Sequence, residues 1–234
     1  LAIADEMLHL ADEAQDGYLA LEARAWRILD LLELGDVAGV DDEVAAAARL
    51  HATLHVPRSA WHLALVRAMR SLLAGRYDEA ERQAAAALTV PGTEQENAQQ
   101  FFAIQMFFVR QQQGRLAELA DLYGQQAAGR PALPVWRCAF ALLLAELDRP
   151  EEAGAELDRL AARDFVDLPR DMNFLPALAM LSQVCSHLRD GRRARLLYPL
   201  LRPFAARIVV IATSAACLGS AERHLGLLAE TAER

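Results

Sequence analysis

One short phrase recurs along the chain: a Gly or Asp, a polar residue, then the start of an amphipathic run. It reads "LGDVAGV" from 34, "AGRYDEA" from 74, "QGRLAEL" from 113, "LDRPEEA" from 147 and "DGRRARL" from 190. Successive copies lie 40, 39, 34 and 43 residues apart. Self-similarity at that period predicts stacked helical hairpins rather than a single globule. The residue types fit that reading. Glycine takes the left-handed conformation that closes a helix, and a second helix then begins within a few residues. In the fourth copy Pro150 suits a first helical turn, and Glu151 and Glu152 face its positive end.

The helix after each phrase carries a narrow apolar stripe. Tyr77, Ala80, Ala84, Ala87 and Leu88 form one, and Leu116, Leu119, Ala120 and Tyr123 another. The helices before the phrases differ. Phe101, Phe102, Ala103, Ile104, Met106, Phe107, Phe108 and Val109 cover every face of a helix, so that helix is either buried or in a membrane. Nine residues rise only about 14 Å, whereas a span needs roughly 20 residues. Thr93 and Glu96 also supply a capping box that starts this helix in water-facing sequence. It reads as a buried repeat helix. Strand signals are nearly missing: there is no Asn-Gly or Asp-Gly hairpin, and the β-branched cluster Ile208 to Ile211 reads as the start of a helix.

Composition removes several chemistries. The 234 residues carry a formal net charge of −8, the opposite of a nucleic-acid footprint, and all 24 basic side chains are arginine. Without lysine there is no phosphate-loop lysine, Schiff base or lysine general base. Cys138, Cys185 and Cys217 lie far apart among apolar residues, which suits reduced, packed thiols better than a disulfide framework or zinc site. His51, His55 and His62 come nearest to a metal pattern, yet no carboxylate or Cys stands at ligand spacing and Pro57 breaks the helix between them. Ser214 and Ser220 lack a nucleophile elbow. The acid pairs Asp41–Asp42, Asp78–Glu79 and Glu151–Glu152 serve helix dipoles, and "RRAR" at 192–195 reads as a solvated face. No metal or other cofactor is expected. The first residues carry acids and no basic segment, so they are not a signal peptide, and the expected location is cytoplasmic. The absence of an initial Met suggests a piece of a longer protein.

With "AGRYDEAERQAAAAL" at a helix junction, the hairpins resemble tetratricopeptide repeats, with Gly75, Tyr77 and Ala80 on matching positions. Trp136, Phe140, Ala141, Leu144, Ala153 and Leu157 fit a further unit. Units one and five lack the aromatics, Pro199 and Pro203 interrupt the last second helix, and "TVPGTEQE" and "DFVDLPRD" read as insertions. The resemblance implies an all-α fold: a right-handed solenoid of about five hairpins plus a trailing helix, forming one domain over 1–234. The succession from "WHLALVRAMRSLLAGRYDEAE" to "ACLGSAERHLGLLAE" also looks like the repeat region of large bacterial signalling proteins. These combine a P-loop ATPase with a nucleotidyl cyclase or a LuxR-type DNA-binding domain.

That resemblance implies a non-catalytic sensor or scaffold region of a signalling or transcriptional regulator, working by protein–protein contact. The alternative is a small-molecule receptor gating an adjacent ATPase; an enzyme is a distant third. Carrying tetratricopeptide groove positions across nominates His62, Leu65, Met69, Phe101, Ile104, Phe108, Cys138, Leu142, Leu181 and Cys185 as a partner or ligand groove. That lining is apolar, so the expected partner presents an apolar segment or belongs to a flanking domain; neither nucleic acid nor membrane is expected. Residues 208–229 have the length of a sixth first helix. With no second helix after it, Leu218, Leu225, Leu227 and Leu228 would stay partly exposed and favour self-association.

Overall fold

The computed structural model describes residues 1–92 and 94–233, so the expected Thr93–Glu96 capping box lies outside the described residues. The chain is mostly helical and divides into two compact units. The first, Leu1–Gln112 with Val210–Cys217, holds α1 (Ala2–Glu13), α2 (Gly17–Leu34), α3 (Val37–Leu54), α4 (Pro57–Leu73), α5 (Tyr77–Ala87) and α6 (Gln95–Gln112). Within it α2 packs on α1 and α3, and α5 packs on α4 and α6. The second, Gln113–Val209 with Leu218–Arg234, holds α7 (Ala120–Gly129), α8 (Pro134–Glu146), α9 (Pro150–Leu160), α10 (Phe174–Leu188), α11 (Gly191–Leu201) and α12 (Ala221–Glu233). There α8 packs on α7, α9 and α10, while α12 packs on α10 and α11. Among the described residues no helix is long and apolar enough to cross a membrane.

At three of its five copies the recurring phrase is a turn built from two hydrogen bonds. Gly35, Gly75 and Asp148 adopt left-handed φ values of 78°, 74° and 55°. In each case that residue's N–H and the next reach back to close the preceding helix: Gly75 N–H to Leu72 O at 3.0 Å and Arg76 N–H to Ser71 O at 2.9 Å, for example. The same pair of bonds closes α10, but the left-handed residue is Arg189 (φ 53°), two positions before the expected Gly191. It also closes α1, at Gln15 (φ 52°), a junction the phrase does not include. Five residues after the left-handed one in each of these five turns, a compact side chain is packed inside: Ala20, Val40, Ala80, Ala153 and Ala194, none more than 6% exposed. Two chemistries start the next helix. Asp36 and Asp190 accept from the N–H of Gly39 and Arg193, each at 2.9 Å. Arg76, Arg115 and Arg149 instead pair with a glutamate three residues on.

Two buried carboxylates tie neighbouring helices together. Glu43 of α3 accepts from Arg24 (2.7 Å) and Arg27 (2.9 Å) of α2. Glu156 of α9 accepts from Arg137 of α8 at 2.5 Å and pairs with Arg159 on its own helix. Arg24–Glu43 and Arg137–Glu156 have the same separation of 19 residues. They occupy the same place relative to their turns, so one charged contact is used twice.

The helix expected to be apolar all round is α6. Met106, Phe107, Phe108 and Val109 are buried in it, and Phe101, Phe102 and Ile104 half-buried. Gln105, in the middle of that run, is only 2% exposed. Its amide donates to the Leu65 carbonyl of α4 at 2.9 Å and to the Ala215 carbonyl at 3.1 Å.

The mostly helical chain departs from expectation at one place: Ile208–Ile211, expected to start a helix, is a strand instead. Ile208–Ile211 (β1) and Ala216–Ser220 (β2) pair as a two-stranded sheet, and the short connection makes them antiparallel. The stiff β-branched side chains favour extended backbone. Ala212, Thr213 and Ser214 then turn the chain with φ of 43°, 42° and 79°, a left-handed run made without glycine. The expected sixth first helix over 208–229 is therefore not formed, and α12 starts only at Ala221. Leu225 and Leu228 are buried, and Leu218 and Leu227 half-buried, so the apolar face expected to stay exposed is largely covered.

Two outcomes are expected. Gly75→Ala should cost about 1 kcal/mol and Asp148→Gly or Arg189→Gly should gain up to about 1 kcal/mol, because only glycine adopts this φ without strain. Glu156→Ala, which strands Arg137, should cost roughly 3 kcal/mol, whereas Glu156→Leu with Arg137→Met should recover most of it. Denaturant unfolding at neutral pH measures both.

Candidate functional site

Of the ten groove residues nominated from sequence, seven are packed in the interior. Leu65, Met69 and Phe108 of the first unit are at most 8% exposed, and Cys138, Leu142, Leu181 and Cys185 of the second are fully buried. Burial pushes the Cys138 and Cys185 thiols up to about 12, so neither is a nucleophile at neutral pH. His62, Phe101 and Ile104 are half-buried. His62 and Phe101 meet one feature the sequence did not disclose: Trp61, which sits beside His62 on α4 and packs edge-on against Phe101 with ring centroids 4.9 Å apart.

Trp61 and His62 form one side of a cavity of about 150 Å³ in the first unit. Side chains from α2 form the other side, with Leu21 and Ile28 as a buried floor and Trp26 towards solvent. Tyr18 and Trp26 stand at the mouth, 62% and 47% exposed. Thr213, in the left-handed tip of the hairpin, completes the wall. A β-branched residue at positive φ is strained, and strain of that kind is held only where packing and hydrogen bonds enforce it. Two bonds at this tip do so: Ala215 N–H to Ile211 O at 2.9 Å, and the Gln105 amide to Ala215 O.

The charged and polar groups around the cavity are few. Burial drives the His62 imidazole down to about 4, while the neighbouring Thr213 backbone pulls it weakly the other way. Arg58 and Glu22 pair loosely at the rim, 3.4 Å apart. Ser59 lies within 2.8 Å of His51 Nδ1, the spacing of a nucleophile and its base. The polarity is wrong, however. The Ser59 hydroxyl donates to the Val56 carbonyl at 2.8 Å, which makes His51 the donor to Ser59 rather than an acceptor of its proton. His51 and His55 do not converge on a third ligand, and among the described residues no group of three His, Cys, Asp or Glu is placed to hold a metal ion. What the cavity can do is enclose an apolar group and offer it a polar contact.

Sequence signals for this site existed in part. Tyr18, Glu22, Trp26 and Leu29 share one face of α2 at helical spacing. The hairpin tip that supplies Thr213 carried no turn signal at all.

The depressed His62 value has a consequence for stability. The unfolded chain takes up this proton near 6.5 and the folded chain only near 4, so stability is full above 6.5 and falls as pH drops through that window. His224, also held low by burial, acts in the same direction. His62→Gln should therefore flatten the fall in unfolding free energy between pH 6.5 and 4, which chemical denaturation at a series of pH values would measure.

Comparison with known protein families, curated proteins and solved structures gives no match.

Proposed function

We propose that this chain is a non-catalytic, helical-repeat recognition region whose first unit receives a small apolar ligand. The observation that carries this reading is the aromatic-walled cavity bounded by Trp26, Trp61, His62 and Thr213. Its volume of about 150 Å³ is that of an apolar site able to hold one ring. Few polar groups, an apolar floor and a strained wall element are what a ligand site needs and what plain core packing avoids. The lack of an activated nucleophile beside it supports a receptor over an enzyme.

The repeated two-bond turn, with a small buried residue five positions on, supports a solenoid of tetratricopeptide-like hairpins as the frame. The packing of α8 against both α9 and α10 supports it too, since first helices of successive hairpins meet in such arrays. On this reading the chain serves a cytoplasmic signalling or transcriptional regulator, and ligand occupancy is passed to a neighbouring ATPase or effector domain. The scaffold reading, in which an apolar protein segment docks, draws on the exposed Tyr18 and Trp26.

Native mass spectrometry of the purified chain, with a thermal-shift screen of small apolar compounds and amphipathic peptides, separates the two. A compound that binds at one-to-one stoichiometry and raises Tm supports the receptor. Stabilisation by peptides alone would replace it with the scaffold, and turnover of any bound compound would overturn the non-catalytic reading.

A further inference from the structure

Among the described residues that line the cavity, all but one belong to α2, α3 or α4, or cap α4 as Val56 does. Those helices pack on one another in order, α2 on α3 and α3 on α4, so the core sets their cavity faces. The exception is Thr213, which enters from the tip of the hairpin. How deep its side chain reaches is set by whatever fixes that tip.

The tip is tied to α6. Gln105 is 2% exposed, and its Nε2 lies 2.9 Å from the Leu65 carbonyl of α4 and 3.1 Å from the Ala215 carbonyl. Both partners are carbonyls, which only accept, so the amide nitrogen rather than its oxygen must face them. One amide thus references the tip to α4, the helix that carries Trp61 and His62 into the cavity wall. The arrangement is costly. Ala212, Thr213 and Ser214 all hold positive φ, and Gln105 Oε1 and Ser214 Oγ are buried with no hydrogen-bond partner among the described residues. Glycine at position 213 would meet the same φ without strain, but it would leave the cavity without this part of its wall. Resting on the receptor reading above, we propose that Thr213 sets the size of ligand the cavity admits and that Gln105 is the positioning residue that holds it at that depth.

Calorimetric titration of the whole chain with benzene and its methyl, ethyl, propyl and butyl derivatives tests this. None of these probes carries a polar group, so the outcome does not depend on how the polar atoms of Tyr18, Ser59, His62 and Thr213 are directed. A wall held in place gives a sharp limit. Affinity should rise with each added carbon and then fall at least about tenfold over a single step, a difference of about 1.4 kcal/mol. Thr213→Ala should move that step outward by at least one carbon. Gln105→Met, close in size but without the amide, should remove the step while Thr213 is unchanged. Gln105→Asn, which keeps an amide but falls one carbon short of its partners, should do the same and serves if the Met variant does not fold. Thr213→Gly should raise Tm by relieving the strained φ and yet abolish the limit, a pairing that a merely structural role would not produce.

The possible failures are distinguishable. A size limit left unchanged by Thr213→Ala overturns the role of Thr213, and a sharp limit kept by the Gln105 variants overturns that of Gln105; in both cases an apolar receptor stands. No binding of any of these compounds by the parent protein overturns the receptor reading and the roles of both residues with it.

Discussion

A helix can reverse into the next one only if its last carbonyls find donors and its backbone turns sharply, and this chain meets both needs with one device. A residue at positive φ lets two successive N–H groups fold back on the end of the helix. Everything downstream depends on it, because the turn fixes where the next helix starts. That in turn decides which residue falls on the contact line. The small side chain five positions later, from Ala20 to Ala194, is buried for this reason. A larger residue there would push the two helices apart. The charged pair between hairpin helices comes next in order of construction: Arg24 meets Glu43, and Arg137 meets Glu156, only once the turn has set their level.

The sequence disclosed those turns that use glycine or are followed by a clear helix start. Gly35 and Gly75 announced themselves, and Asp148 was legible through Pro150 behind it. Gln15 and Arg189 were not, because nothing about glutamine or arginine favours a left-handed backbone. They adopt it because neighbouring packing outweighs a cost of about 1 kcal/mol. The hairpin escaped for a related reason. Its turn uses Ala212, Thr213 and Ser214 at positive φ, and no rule based on Asn-Gly or Asp-Gly can detect such a turn. The buried character of α6 was legible from composition. The use of Gln105 was not, since its acceptors come from elements distant in sequence.

The cavity shows the same division between local and distant information. The α2 face was readable as a helical stripe, and His62 was singled out, but for a groove rather than for the wall of a cavity. What places Trp61 beside Phe101 and Thr213 against His62 is tertiary contact across 40 and more than 100 residues of chain. Apolar residues assigned to the groove by analogy, such as Leu142 and Leu181, are interior for a simple reason. Helices that pack on several neighbours have no uncommitted apolar face.

The use of one ion pair at two places bears on how faithfully the chain refolds. Arg24–Glu43 and Arg137–Glu156 share a spacing and a position relative to their turns, so neither carboxylate can tell its own guanidinium from the other by charge. Chain connectivity makes the choice. Pairing Arg24 with Glu156 closes a loop roughly seven times longer than the native one, which costs about 1.7 kcal/mol more in entropy. During synthesis the first pair can also close before the second has emerged. Between molecules that protection vanishes. At high concentration, hairpins of two copies can exchange carboxylates without penalty from the linker, so this duplicated contact is a natural route to swapped dimers during refolding.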